Sequence, residues 1–106
     1  MGNREKDILK RIKEIVRGKD PSAKIYIYGS RARGTANSES DWDLLILLDR
    51  EKISSDIEKE IAYSLYDLEF EIGELISPML YTEKDWNIKY SVTPFYKNVM
   101  KDSRLL

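Results

Sequence analysis

Residues 28–48, YGSRARGTANSESDWDLLILL, place a Gly-Ser turn and two arginines before a polar loop, and two aspartates after it. Gly29 permits a backbone conformation that other residues resist, while Ser30 can cap the following turn so that its N–H groups point at an anion. Arg31 and Arg33 carry donors suited to phosphate oxygens, and their i, i+2 spacing lets at most one of them, which we take as Arg33, face the ligand. This half of the stretch predicts a phosphate cradle.

Asp41 and Asp43 form the other half, a carboxylate pair. Two positions apart on an extended segment, they project from one face of a sheet with backbones roughly 7 Å apart, whereas Trp42 points to the other face. Mg²⁺ favours one or two carboxylates plus substrate phosphates, and two such ions can hold the attacking and leaving oxygens of a phosphoryl transfer. We therefore expect Asp41 and Asp43 to hold metal beside the α-phosphate of a triphosphate that the Ser30 turn grips.

The composition narrows the chemistry of such a site. The 106 residues contain no cysteine and no histidine, which excludes disulfides, thiolate or imidazole metal sites and histidine-based acid–base catalysis. With 18 basic and 19 acidic residues, the chain has no general polyanion-binding character, and nucleic acid is not an expected partner. The longest apolar run, at 44–48, is too short to cross a bilayer. We expect one cytoplasmic domain over residues 1–106.

The helices that must support the site follow from apolar periodicity. Helical spacing predicts a first helix over 3–17 that stops at Gly18. The same spacing predicts a long second helix with a capping box at Ser55 and an end at Gly73, although DLEFEI at 67–72 also fits a strand. Two shorter helices are predicted from capping signals at Thr82 and Thr93.

Three segments predict strands, namely 23–28, 42–48 and 74–82. The second is apolar on both alternations, as expected for a central strand, and Pro78 places the third at an edge or bulge. The short return between the first two strands permits antiparallel pairing, and the strand-helix-strand unit that follows predicts a parallel crossover. The expected fold is α/β (α+β), a small mixed sheet of about three strands flanked by helices.

The two halves of residues 28–48 together resemble the signature of a known family. GSRARG followed by SDWDLLILL is similar to the signature of the minimal nucleotidyltransferase (MNT) group of the polymerase-beta-like nucleotidyltransferase superfamily. That signature is Gly-Ser, a spacer of about this length, and Asp-x-Asp. The resemblance covers most of the chain and implies the nucleotidyltransferase fold, Mg²⁺ as cofactor and ATP or another nucleoside triphosphate as substrate. Carried over by position, Gly29 and Ser30 bind the phosphates, and Asp41 and Asp43 bind metal.

The chain departs from this family at one position. Members of the superfamily commonly carry a third carboxylate on a later strand, which can act as general base, and the register places it near Ser77. Glu74, at the start of the predicted third strand, is the best substitute and is our candidate third catalytic acid. Its odd offset from Ser77 indicates the opposite face of the sheet.

The resemblance also implies a protein partner. Single-domain members are often paired in prokaryotes with a small all-helical HEPN protein as a toxin–antitoxin module. In such a module the nucleotidyltransferase is the antitoxin, and in some cases it transfers AMP to a tyrosine of the toxin. Two alternatives stay open: a weak or inactive antitoxin that neutralises its partner by contact alone, and a subunit that adds nucleotides to RNA or to a small molecule such as an aminoglycoside. The near-neutral charge argues against the last.

Overall fold

The chain folds into a four-stranded mixed sheet with helices on both faces, as seen in a computed structural model that describes residues 2–37 and 39–106. In the part described, no helix combines the length and the apolar character that crossing a membrane requires. In chain order the elements are α1 (Asn3–Lys19), β1 (Lys24–Tyr28), α2 (Ser30–Arg33), β2 (Trp42–Leu48), α3 (Ser55–Ile72), β3 (Ile76–Thr82), α4 (Glu83–Ile88), α5 (Pro94–Asp102) and β4 (Arg104–Leu105).

The strand order β3-β2-β1-β4 puts β2 inside the sheet and β3 at an edge. β1 runs antiparallel to β2, with Tyr28 opposite Asp43, and β2 runs parallel to β3, with Asp43 beside Ser77. The predicted return and crossover are therefore confirmed, and Pro78 lies on an edge strand, where a missing ladder donor is tolerated. This register sets Tyr28, Asp43 and Ser77 side by side across three strands.

A fourth strand adds to the three that the sequence predicted. β4 has two residues and pairs antiparallel with Tyr26 and Ile27 of β1. Two residues are too few for any periodic pattern, so no local signal marked them.

Two predicted helix boundaries need correction. α1 continues through Gly18 and ends at Lys19, where the N–H of Asp20 donates to the carbonyl of Val16. The residue that caps α3 is Ser54, whose hydroxyl accepts from the N–H of Ile57, and not the predicted Ser55. Both errors arise because sequence spacing tolerates a shift of one or two residues at a helix end.

Three other predicted helix boundaries are confirmed, whereas β1 and β3 begin at Lys24 and Ile76, later than the predicted residues 23 and 74. Gly73 ends α3 with φ of +71°, so DLEFEI is helical. The side chains of Thr82 and Thr93 accept from the backbone N–H of Asp85 and Tyr96, which begins α4 and α5 as their sequence spacing predicted.

Buried side chains form one layer on each face of the sheet. α1 and α3 cover one face with a large layer that includes Trp42. On the other face, α4 and α5 bring Trp86 and Val99 against Leu45 and Leu47 of β2. Because side chains alternate along a strand, Asp43 shares the face of Leu45. The predicted metal ligands therefore lie on the side of α4 and α5.

Candidate active site

Gly29 ends β1 and begins α2. Its φ of +73° lies in the region that glycine enters at little cost, and its carbonyl accepts from the N–H groups of Ala32 and Arg33. The cap of α2 is thus Gly29, and the sequence prediction that Ser30 caps this turn is wrong, because the turn begins one residue earlier. The first N–H groups of a helical turn have no intrahelical acceptor, so this turn still carries the donors that a phosphate cradle needs.

The Gly29 turn and the second aspartate are in direct contact. A Cβ atom placed on Gly29 would lie 2.5 Å from Oδ2 of Asp43, closer than two such atoms can approach without displacement. The antiparallel register is the cause, since Tyr28 lies directly opposite Asp43. Both the positive φ and this close approach require glycine at residue 29.

Asp41, Asp43 and Ser77 gather on the same face of the sheet. Both aspartates are half-buried, and the hydroxyl of Ser77 donates to Oδ2 of Asp41 at 3.4 Å. Burial, and then the charge of Asp41, raises the pKa of Asp43, while Arg33 acts to lower it. Ser77 occupies the position at which register placed the missing third acid.

The oxygens of this cluster fit Mg²⁺. Two carboxylates and a hydroxyl are hard donors, which Mg²⁺ prefers. Within residues 2–37 and 39–106, no group of three or more His, Cys, Asp or Glu side chains could hold a metal. Because Mg²⁺ usually keeps waters and takes substrate phosphates as ligands, Asp41 and Asp43 suit an ion that arrives with a nucleotide.

A cavity of about 380 Å³ opens beside the turn, within the usual size of small-molecule sites. Tyr28 and Phe95 meet edge to face in its wall, with ring centroids 6.3 Å apart. The exposed Arg33 forms an ion pair with Asp102 at 3.4 Å. The lining residues are Tyr28, Gly29, Arg33, Phe95, Asn98, Val99, Lys101 and Asp102.

The contribution of α5 to this cavity was missed by sequence reasoning. The sequence of this helix, PFYKNVMKD, shows only an amphipathic pattern, which predicts a helix packed on the core and does not indicate a ligand site. No local signal relates a C-terminal helix to a turn some 65 residues earlier, a contact that depends on how α5 packs on the sheet.

Arg31 lies apart from this cavity. Its side chain is buried, with the guanidinium carbon 4.2 Å from the ring centroid of Trp42. One nitrogen donates to the carbonyl of Ser40 at 2.9 Å and to Oε1 of Glu74 at 2.8 Å. Arg31 therefore fixes the loop before β2, and of the two arginines only Arg33 lines the cavity.

Glu74, the predicted third acid, is held by two arginines. Oε2 accepts from Arg4 at 2.5 Å, and Oε1 accepts from Arg31. Because Arg31 stacks on Trp42, whose side chain points away from Asp43, these contacts associate Glu74 with the opposite face of the sheet. They argue for a structural role, and the catalytic role of Glu74 stays a prediction.

The family described as "Nucleotidyltransferase domain" matches residues 9–106. A search of curated proteins found no match. A crystal structure of a mutant of the toxin-antitoxin MntA-HpeT superposes with a TM-score of 0.62 at 19% identity, covering 92% of this chain and 70% of that chain. A toxin-antitoxin crystal structure with AMP-PNP has a TM-score of 0.63 at 18% identity and covers 91% and 69%. At such identities, the likeness shows a shared fold.

Proposed function

The chain belongs to the nucleotidyltransferase domain family, and from this premise we propose that it is a Mg²⁺-dependent enzyme that transfers AMP from ATP to a partner protein. In this proposal the partner is a helical HEPN-type toxin, and the chain is the antitoxin of the pair in the cytoplasm. Support comes from the similar fold of a toxin-antitoxin structure solved with AMP-PNP.

The contact between Gly29 and Asp43 is the observation that carries the proposal. The turn offers N–H donors for phosphates, and the carboxylate against it belongs to the pair suited to Mg²⁺. A triphosphate bound to the turn would therefore present its α-phosphate beside Asp41 and Asp43. The adjoining cavity has room for the nucleoside, with the aromatic rings of Tyr28 and Phe95 in its wall.

In the proposed reaction, an acceptor hydroxyl displaces pyrophosphate from the α-phosphorus of ATP, and each residue of the site has a separate role. An acceptor hydroxyl oxygen bonds to the α-phosphorus, the bond from that phosphorus to the bridging oxygen breaks, and pyrophosphate leaves. Ser30 and the N–H groups of its turn hold the phosphates, and Arg33 donates to them in exchange for its contact with Asp102. Asp41 and Asp43 would hold Mg²⁺, which supplies charge neutralisation when bound.

The proton of the acceptor hydroxyl needs a destination in this step. In the predicted role of Glu74 as third acid, that carboxylate receives it, and otherwise it passes to water. The contacts of Glu74 with Arg4 and Arg31 favour water.

A second candidate function is neutralisation by contact, with a weak or inactive site. Ser77 favours it, because a serine stands beside Asp41 and Asp43 where the superfamily commonly has a carboxylate. In that case the chain binds nucleotide and partner without efficient transfer.

Transfer of label from ATP tests the proposal. The chain is incubated with Mg²⁺, the protein encoded beside it, and ATP labelled at the α-phosphate or, in parallel, at the γ-phosphate. We expect label on the partner from the α-labelled ATP alone, and its loss in Asp43→Asn. Asp49→Asn is the matched control, the same change just beyond the far end of β2. Transfer that survives Asp43→Asn contradicts the proposal, and absence of transfer by the wild type favours neutralisation by contact.

A further inference from the structure

Three aromatic side chains form an exposed row along α3, which we call the aromatic stripe: Tyr63, Tyr66 and Phe70. Their exposed fractions are 60%, 48% and 92%. The rings of Tyr63 and Tyr66 lie side by side, with centroids 6.4 Å apart. Contiguous exposed aromatic surface is unusual on a soluble domain and marks interaction sites.

The stripe is unrelated to the core. At 100° per residue, its members lie on the side of α3 directly opposite Ile61, Leu65 and the other buried positions. α3 covers the face of the sheet that carries Trp42, while Asp43 and the cavity lie on the other face. A molecule bound to the stripe would therefore leave the candidate active site open.

The charge around the stripe indicates what binds there. α3 contains six acidic residues and one lysine, a net charge of −5, although the whole chain carries only −1. Asp56, Glu60 and Asp67 are exposed along one edge of the stripe, and no described lysine or arginine forms an ion pair with them. An isologous pairing of two copies through α3 would bring these negative charges together, which disfavours self-association.

We propose that the aromatic stripe is the docking surface for a protein partner whose contact surface is apolar and basic. The inference rests on the proposed function for the existence of that partner, and it names the surface that holds it. Apolar groups of the partner cover the three rings, and its lysines or arginines face Asp56, Glu60 and Asp67. Docking on the sheet face away from Asp43 separates partner binding from nucleotide binding, so the partner stays bound whether or not nucleotide is present.

Calorimetric titration of the protein encoded beside this chain into the intact chain tests the proposal. Phe70→Ala and Tyr63→Ala each remove one ring of the stripe. Phe70 is the most exposed of the three, so we expect Phe70→Ala to weaken binding about thirtyfold, as for an aromatic side chain that the partner buries. Val92→Ala is the matched control, since Val92 is 79% exposed in the segment between α4 and α5; it should leave the affinity within about twofold. Raising the salt concentration from 50 to 300 mM should weaken wild-type binding several-fold.

Two variants distinguish the docking proposal from the proposed enzymatic function. Asp43→Asn should keep full affinity for the partner, and Phe70→Ala should keep the melting temperature and the ATP affinity of the wild type. If the wild type transfers no AMP but its binding to the partner still depends on Phe70, the proposed enzymatic function is wrong and the proposed docking surface is retained. The docking proposal is overturned by wild-type chain that forms no complex, by Phe70→Ala that binds as tightly as wild type, or by a chain that dimerises alone through Phe70 in sedimentation.

Discussion

Gly29 and Asp43 are in contact at the end of the β1–β2 ladder. This contact is possible because glycine has no Cβ atom, which at residue 29 would collide with Oδ2 of Asp43. The Gly-Ser turn and the carboxylate pair are separated in sequence by a polar loop, and the antiparallel register brings them together. The two halves of the motif therefore form one site.

Gly29→Ala should damage both stability and nucleotide binding. The new methyl group would occupy a left-handed backbone position and press on Asp43, so we expect a loss of more than about 2 kcal/mol in the free energy of unfolding. Gly34→Ala is the matched control, with φ of +76° and nothing within 4 Å of the added Cβ; its cost should be about 1 kcal/mol. Urea denaturation and ATP titration measure both quantities. Equal costs at the two glycines would show that the contact with Asp43 is unimportant.

A double-mutant cycle isolates the same contact. In an Asp43→Ala background the colliding carboxylate is gone, so Gly29→Ala should cost about 1 kcal/mol less than in the wild type. The cycle is measured as free energies of unfolding for the four proteins. Strict additivity would contradict direct contact between the two residues.

Ser77→Asp should strengthen catalysis. The hydroxyl of Ser77 lies 3.4 Å from Oδ2 of Asp41, so a carboxylate there would join the pair and could accept the proton of the acceptor, a contribution of roughly 10²-fold or more. Without metal, the third negative charge should lower the melting temperature. Transfer rates of Ser77→Asp and of the neutral control Ser77→Asn decide the matter. Equal transfer rates for Ser77→Asp and Ser77→Asn would show that residue 77 is not the position of the third carboxylate.

Glu74→Gln separates structure from catalysis at the predicted third acid. Arg31 and the side chain of Glu74 are 5% and 10% exposed, so removing one charge of this pair should cost about 3 kcal/mol. Glu71→Gln is the control, since its partner Arg11 and Glu71 itself are well exposed, and it should cost under about 1 kcal/mol. A variant that keeps wild-type stability yet loses transfer would instead support Glu74 as the base.

Asp43 should make metal-free stability depend on pH. Burial and Asp41 raise its pKa in the folded protein, so the folded state binds the proton more tightly than the unfolded state does. The resulting cost is present at neutral pH and disappears as pH falls through the raised pKa toward the ordinary value of 3.8. Asp43→Asn should therefore stabilise the protein at pH 7 and lose this advantage near pH 4, as urea denaturation would show. A constant difference across this range would contradict it.

The sequence alone predicted those parts of the fold in which a local residue pattern and the strand order lead to the same arrangement. WDLLILL is apolar on both faces, so β2 was predicted to lie inside the sheet. Gly73 ends α3 because glycine readily adopts the left-handed backbone conformation that this position requires. Register alone placed Ser77 beside Asp43, since a parallel crossover aligns the two strands. These features depend on neighbouring residues or on strand order.

Features formed by distant segments escaped sequence reasoning. The contact between Arg4 and Glu74 joins the first turn of α1 to the residue just after the C-cap of α3, and no sequence spacing encodes it. The cavity wall from Phe95 to Asp102 depends on how α5 crosses β1, and β4 is too short to have a pattern. Such contacts are set by packing of whole elements, which a single sequence leaves open.

A crystal structure grown with Mn²⁺ and a non-hydrolysable ATP analogue tests the central claim most directly. Mn²⁺ has the oxygen preference of Mg²⁺ and an anomalous signal that locates it. We predict an anomalous peak between the carboxylates of Asp41 and Asp43, with the phosphates within hydrogen-bond distance of the Gly29–Ser30 turn and the nucleoside in the cavity beside Phe95. A metal bound away from the two aspartates, or phosphates bound away from the turn, would contradict the account.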